Sequence, residues 1–316
     1  MKKTLFFISI PLSVIILSLL SIGFFAVNYL LNFKLRDVGI IRRREIKGNR
    51  LSPQTFNTLP ITPFKIDSKH GYKLSGIELK AYEHNRFIIC LHGVTENKIS
   101  SNKYMMLFHS LGYNVVLYDH RRHGSSGGEH SSYGYYEKDD LNTVIDFLYH
   151  KYDNIYLGLH GESMGAATAL LYQGSLNGKA QFLISDCAFS SLDQQIIYLV
   201  KEKVYSKLKV FTPILIYFIN KALQIRTTYS LYQISPKQSV RQIKIPILFI
   251  HTKNDTFIPY QHTQSLYNNN KSDAKMLWLP TKGDHATSYN IHSKSYKNKV
   301  IEFFNQYDIP YDLQSK

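Results

Sequence analysis

Cysteine is nearly absent from these 316 residues; Cys90 and Cys187 are the only two. Each closes an apolar run expected to form a buried strand, which excludes a disulfide framework and a thiolate metal site. Acidic residues are scarce too, 23 against 38 lysines and arginines, leaving a formal net charge of +15. That balance attracts anionic partners, yet no zinc-finger, aromatic RNA-binding or other nucleic-acid motif accompanies it, so nucleic acid is not the expected partner. Charge is missing altogether between Leu5 and Leu31. As a helix this stretch measures about 40 Å, against roughly 30 Å of hydrocarbon in a bilayer. A secretory leader has a shorter apolar region and a small residue on each side of its cleavage site. Here the bulky Phe24 and Phe25 precede Ala26. An uncleaved, single-pass anchor in the cell membrane is therefore expected over residues 1–35.

The segment after the anchor is basic. Lys34, Arg36, Arg42, Arg43, Arg44, Lys47 and Arg50 face only Asp37 and Glu45. Anionic headgroups attract such a flank by about 1 kcal/mol per basic residue near the surface. The membrane is thus the expected partner of residues 1 to about 50. Its sidedness stays open: the excess of basic residues after the span favours a cytoplasmic domain, and the short leader-like start favours the opposite.

With 44 % apolar and 19 % charged residues the rest has a globular composition. Residues 58–316 alternate short β-branched or aromatic runs with helical stretches, the pattern of a mostly parallel sheet covered by helices. Strands are expected at Phe64 to Asp67, Lys73 to Lys80, Phe87 to Leu91, Asn114 to Tyr118, Ile155 to Leu159, Phe182 to Asp186, Ile247 to His251 and Lys275 to Leu279. His70-Gly71 turns the first pair into a hairpin. Helices fit Lys103 to Leu111, Tyr136 to Tyr149, Met164 to Tyr172, Pro259 to Tyr267 and Tyr296 to Phe304. Between about 190 and 242 no strand is expected, only helical stretches such as Gln195 to Leu208 and Pro213 to Leu223. Helices inserted between two sheet strands suit a cap, and Tyr198, Phe211, Ile214 and Phe218 give it an apolar character.

The pattern G-x-S-x-G occurs twice. Gly124-Ser125-Ser126-Gly127-Gly128 has charged residues before it and no helix after it, which makes it a loop. Gly161-Glu162-Ser163-Met164-Gly165 lies between a strand and a helix, where a sharp turn lifts the Ser163 hydroxyl above the sheet edge. A serine hydroxyl needs a base and a group that orients the base. Asp255 and His285 each follow a strand at its carboxyl end, the edge where open α/β sheets build their sites. Asp186 is a rival acid, and Asp284 is awkwardly adjacent to the base. Two N–H donors are needed for the tetrahedral oxyanion. Met164 follows the nucleophile and supplies one; Val94, in the loop His92 to Asn97, is the candidate for the other. His92 has no second ligand at the spacing of H-E-x-x-H, so neither a metal nor another cofactor is expected.

LHGVTENK, YDHRRHGSSGG, GLHGESMGA, IPILFIHTKNDTFIP and KGDHATSY, in this order, resemble the α/β-hydrolase superfamily, in particular bacterial membrane-anchored serine hydrolases of the esterase and serine-aminopeptidase-like group. The likeness spans about residues 60 to 306. It implies an eight-stranded sheet with a helical cap, Ser163, Asp255 and His285 as a catalytic triad, and Val94 and Met164 as oxyanion donors. Arg122 stands where many such sequences have glycine, and HGV lacks the HGGG pattern of one lipase branch. The expected activity is hydrolysis of a small or lipid-like carboxylic ester through an acyl-enzyme. Thioester or amide hydrolysis would use the same parts, with Glu162 or Glu202 available to anchor a substrate amine. The other class of reading is a catalytically silent binding protein on the same fold. Oligomeric state is not legible.

Overall fold

A computed structural model describes residues 2–203 and 206–313. They form two compact units, one from the described parts of 1–33 and 191–234, the other from the described parts of 34–190 and 235–316.

The first unit is helical. It contains α1 (Lys2–Leu31), of which Ser13–Leu31 is long and apolar enough to cross a membrane. Hydroxyls within it return to their own backbone, Ser18 Oγ donating to Val14 O and Ser21 Oγ to Leu17 O, both at 2.8 Å. Such bonds leave no polar group bare in an apolar surrounding. The inserted segment supplies the unit's other helices, α7 (Leu192–Lys203) and α8 (Thr212–Arg226). The expected helix Gln195 to Leu208 thus ends early, and it runs over residues 204 and 205, which lie outside the described residues. Helices α1 and α8 pack closely at Gly23, where a Cβ would stand 2.6 Å from Phe218 O.

The second unit begins with two short helices that periodicity alone did not suggest. Asp37 caps α2 (Val38–Lys47) by accepting from Ile40 N, and Ser52 caps α3 (Pro53–Thr58) with proline at its first turn. Eight strands follow: β1 (Ile61–Asp67), β2 (Lys73–Leu79), β3 (Arg86–Leu91), β4 (Asn114–Tyr118), β5 (Tyr156–Glu162), β6 (Phe182–Asp186), β7 (Ile247–Ile250) and β8 (Lys275–Trp278). They lie in the order β1-β2-β4-β3-β5-β6-β7-β8. The pairs β1/β2 and β2/β4 are antiparallel and the others parallel. This is the expected α/β class. Helices α4 (Asn102–His109), α5 (Glu137–Lys151), α6 (Met164–Ser175), α9 (Pro236–Ser239), α10 (Gln261–Asn269) and α11 (Ser288–Gln306) complete the unit. The last is longer than expected because it is kinked at His292 (φ −122°, ψ 36°), which breaks its apolar period.

Apolar side chains of the central strands alternate between two cores, one per sheet face. On β3, Phe87, Ile89 and Leu91 enter one and Ile88 and Cys90 the other. Because both faces are covered, these strands read as unbroken apolar runs. In the loop after β4, Arg122 adopts φ 67°, the region that favours glycine. The second G-x-S-x-G there is structural: Ser126 Oγ donates to Asp119 O at 2.6 Å and accepts from Ser75 N at 2.8 Å. Phe182 fills the space left by Gly158 opposite it, where a Cβ would meet its ring at 2.1 Å, and packs on Tyr113 and Phe304. Phe182→Ala is expected to cost about 3 to 5 kcal/mol of unfolding free energy, readable as a lower urea midpoint at an unchanged slope.

Candidate active site

Strand β5 runs directly into α6, and Ser163 is the turn between them. Its backbone lies at φ 56°, ψ −116°, a conformation that costs a non-glycine residue on the order of 1 to 3 kcal/mol. The surroundings leave it no alternative. Ser163 N donates to Asp186 O at 2.8 Å, and glycines on both sides allow backbone to pass at contact distance. A Cβ at Gly161 would lie 2.4 Å from Ala166 N, and one at Gly165 2.4 Å from Leu91 O. Only glycine fits at either place.

The three side chains expected from the sequence meet here. Ser163 Oγ lies 2.8 Å from His285 Nε2, and His285 Nδ1 lies 2.7 Å from Asp255 Oδ2. The carboxylate accepts, so Nδ1 carries the hydrogen and Nε2 is free to accept from the hydroxyl. Ser163 is 3 % exposed and the Asp255 side chain 0 %, whereas the His285 side chain keeps 19 %. Solvent reaches the site mainly at the imidazole.

Asp255 takes more than one hydrogen bond. Its Oδ1 accepts from Phe257 N and Ile258 N at 2.9 and 2.8 Å, and its Oδ2 also faces His251 Nε2 at 2.9 Å. Burial pushes this carboxyl up, but the bonds from His251 and His285 outweigh it and hold the group well below the usual carboxylate range. His251 Nε2 also faces Ile258 O at 2.8 Å, an atom that only accepts, so that nitrogen donates. His251 is thus a second imidazole behind the acid, absent from the residues singled out by sequence. Its signal was the spacing of four to Asp255 at the end of β7.

The rival carboxyls face elsewhere. Asp186 accepts from Ser288 Oγ at 2.9 Å, and burial with Glu162 beside it raises its pKa to about 7. Asp284 Oδ1 accepts from His285 N. Glu162 accepts from Lys103 Nζ and Tyr104 OH, each at 2.6 Å, so its charge is already matched and unsuited to anchoring a substrate amine. Cys187 adds a thiol whose sulfur lies within 4.8 Å of ligand atoms of both Asp255 and His285. Burial drives that thiol well above its ordinary pKa, so it offers no thiolate.

The loop His92 to Asn97 passes beside the hydroxyl. A Cβ at Gly93 would stand 3.4 Å from Ser163 Cβ and 4.0 Å from its Oγ. Among the described residues neither the Val94 amide nor the Met164 amide donates to a protein acceptor. A buried histidine cluster backs the loop. His92 Nε2 accepts from His120 N at 3.0 Å, and His123 Nε2 from Thr95 N at 3.3 Å.

Comparison with known proteins places this chain in a family. Residues 82–217 match the family described as serine aminopeptidase, S33. The uncharacterized Bacillus subtilis protein YqkD is 39 % identical over 306 residues, 96 % of this chain and 97 % of that one. The chain belongs to the α/β-hydrolase superfamily. It is a hydrolase of that fold. The solved Pyrococcus furiosus esterase Pf2001 superimposes with a TM-score of 0.65 at 23 % identity, covering 81 % of this chain and 96 % of that one. The Danio rerio lysophosphatidylserine lipase ABHD12 is 25 % identical over 189 residues, 57 % of this chain and 46 % of that one.

Four buried imidazoles near the site make this hydrolase acid-sensitive. Burial lowers the pKa of His92 and His120, and takes His123 and His160 to about 3. An unfolded chain protonates all four below about pH 6.5, which removes stability as pH falls. Asp186 and Asp140, raised by burial to about 7 and about 6, act oppositely, because the fold keeps protons that the unfolded chain loses above about pH 4. The lowered imidazoles outnumber the two raised carboxyls, so stability falls as pH drops from about 6 toward 4.5. Thermal melting across that range is expected to show a falling midpoint; a flat or rising one would contradict the assignment.

Proposed function

We propose that this chain is a serine hydrolase that cleaves carboxylic esters through an acyl-enzyme intermediate. The observation that carries the reading is the unbroken line of short contacts from Ser163 Oγ through His285 to Asp255. Ser163 Oγ attacks the ester carbonyl as His285 Nε2 takes its proton. Negative charge gathering on the carbonyl oxygen faces the amides of Val94 and Met164. As the intermediate collapses the C–O bond breaks, and the leaving alkoxide takes the proton from His285. Water, deprotonated by the same nitrogen, then attacks the acyl-serine; the acyl–Oγ bond breaks, Ser163 Oγ takes the proton back from His285, and the acid leaves. Asp255 holds the imidazole in the tautomer these transfers require and stabilises its charged form.

Ester rather than amide chemistry is favoured by the engagement of Glu162, whose carboxylate is already taken by Lys103 and Tyr104 and so does not serve a substrate amine. Pf2001 is named an esterase and ABHD12 a lipase, which points the same way. A lipid-like ester suits a chain whose α1 can cross a membrane, and we propose that α1 anchors it there as a single pass.

Turnover of p-nitrophenyl esters, acyl thioesters and aminoacyl amides by the full-length protein in detergent tests the reading. Ester hydrolysis is expected to exceed the other two, and Ser163→Ala is expected to lower it at least about 10³-fold. Fluorophosphonate labelling should disappear in the same variant. Undiminished turnover in Ser163→Ala would remove Ser163 as nucleophile; no labelling and no turnover of any substrate by the parent protein would favour a silent binding protein.

A further inference from the structure

Two arginines of the basic segment after α1 are bound to the loop that follows β3. Arg44 Nη1 and Nη2 make a two-pronged contact with Glu96 Oε1 and Oε2 at 2.9 and 2.8 Å. Arg36 adds a second guanidinium to the same carboxylate, and its backbone N donates to Thr95 O at 3.2 Å. Glu45 steadies the arrangement from behind, accepting from Arg44 Nε at 2.8 Å and Arg50 Nε at 2.7 Å. Glu96 keeps only 10 % of its side chain exposed. Burial alone would raise its pKa, and Arg44 more than reverses that, holding it below the usual carboxylate range.

Thr95 and Glu96 directly follow Val94. Thr95 is β-branched and lies at φ 67°, where such a residue persists only if its surroundings dictate it. Its neighbours do so from two sides. His123 takes the Thr95 N–H, and the arginine segment holds the Thr95 carbonyl and the Glu96 carboxylate. The planar fork of Arg44 fixes orientation as well as charge, which a single ammonium cannot do.

We propose that Arg44 and Glu96 are positioning residues: their paired contact sets the loop that carries the Val94 amide, and through it the stabilisation of the oxyanion. This rests on Ser163 being the nucleophile and Val94 a donor to the oxyanion. The contribution is made in the transition state, so it falls on kcat rather than on KM. A loop displaced by about 1 Å costs as much as 100-fold.

The experiment measures kcat and KM for p-nitrophenyl butyrate with full-length protein, normalised to sites titrated by a fluorophosphonate. For Arg44→Ala and Glu96→Gln, kcat per titrated site is expected to fall about 10- to 100-fold with KM within twofold of the parent. Arg44→Lys should recover only part of the loss, and the double variant should fall short of the product of the two single losses, since the Arg44–Glu96 contact is broken in both singles. The inference is overturned if kcat per titrated site stays within twofold of the parent in both single variants. It is equally overturned if only the number of titrated sites drops, which would mark a purely structural pair, or if KM alone rises. Ser163→Ala separates the two levels: activity surviving there defeats the proposed function, whereas a dead Ser163→Ala beside an unaffected Arg44→Ala defeats the positioning role alone.

Discussion

A single buried carboxylate, Asp255, has to remain charged with no water around its side chain. Leaving such a charge unpaired in a protein interior costs several kcal/mol, enough to drive protonation instead. Four donors prevent this: the amides of Phe257 and Ile258 and the imidazoles of His251 and His285. Three of them also fix the carboxylate's orientation, so that the fourth, His285, meets one of its oxygens at 2.7 Å and presents its other nitrogen to Ser163. The bend after β7 therefore fixes the side-chain contacts at the end of β5, although the two positions are far apart in the chain.

The serine depends on a different kind of constraint. Its strained backbone is held by the Ser163 N bond to Asp186 O and by the close passage of α6 past β3 and β5, and only the missing side chains of Gly161 and Gly165 make that passage feasible. Steric exclusion on one side of the site and charge on the other give the same result, side chains fixed before any substrate arrives. Preorganisation of that kind is where most catalytic stabilisation comes from in sites of this type.

The central sheet was legible because β3 to β7 are short runs covered on both faces, whereas the edge strand β1, largely exposed, was legible from the hairpin turn beside it. Ser163, Asp255 and His285 were legible for a related reason, since each follows a strand at its carboxyl end. His251 was not, because the last residue of PILFIH reads as the tail of a strand until the turn after it is known. Nor was the pairing of Glu96 with Arg44, 52 residues apart, since nothing local marks it. Helix α2 is masked by the charge of residues 34–50 and α3 by being only six residues long, although Asp37 before Val38 and Ser52-Pro53 are adequate start signals.

The arginine contacts alter what a tally of basic residues means. Three of the seven basic side chains between Lys34 and Arg50, namely Arg36, Arg44 and Arg50, are matched by Glu96 and Glu45. Four are left unmatched among the described residues, so an anionic surface, were one present, would attract this flank by about 4 rather than about 7 kcal/mol. An orientation rule that counts every lysine and arginine would weight this flank nearly twice too heavily.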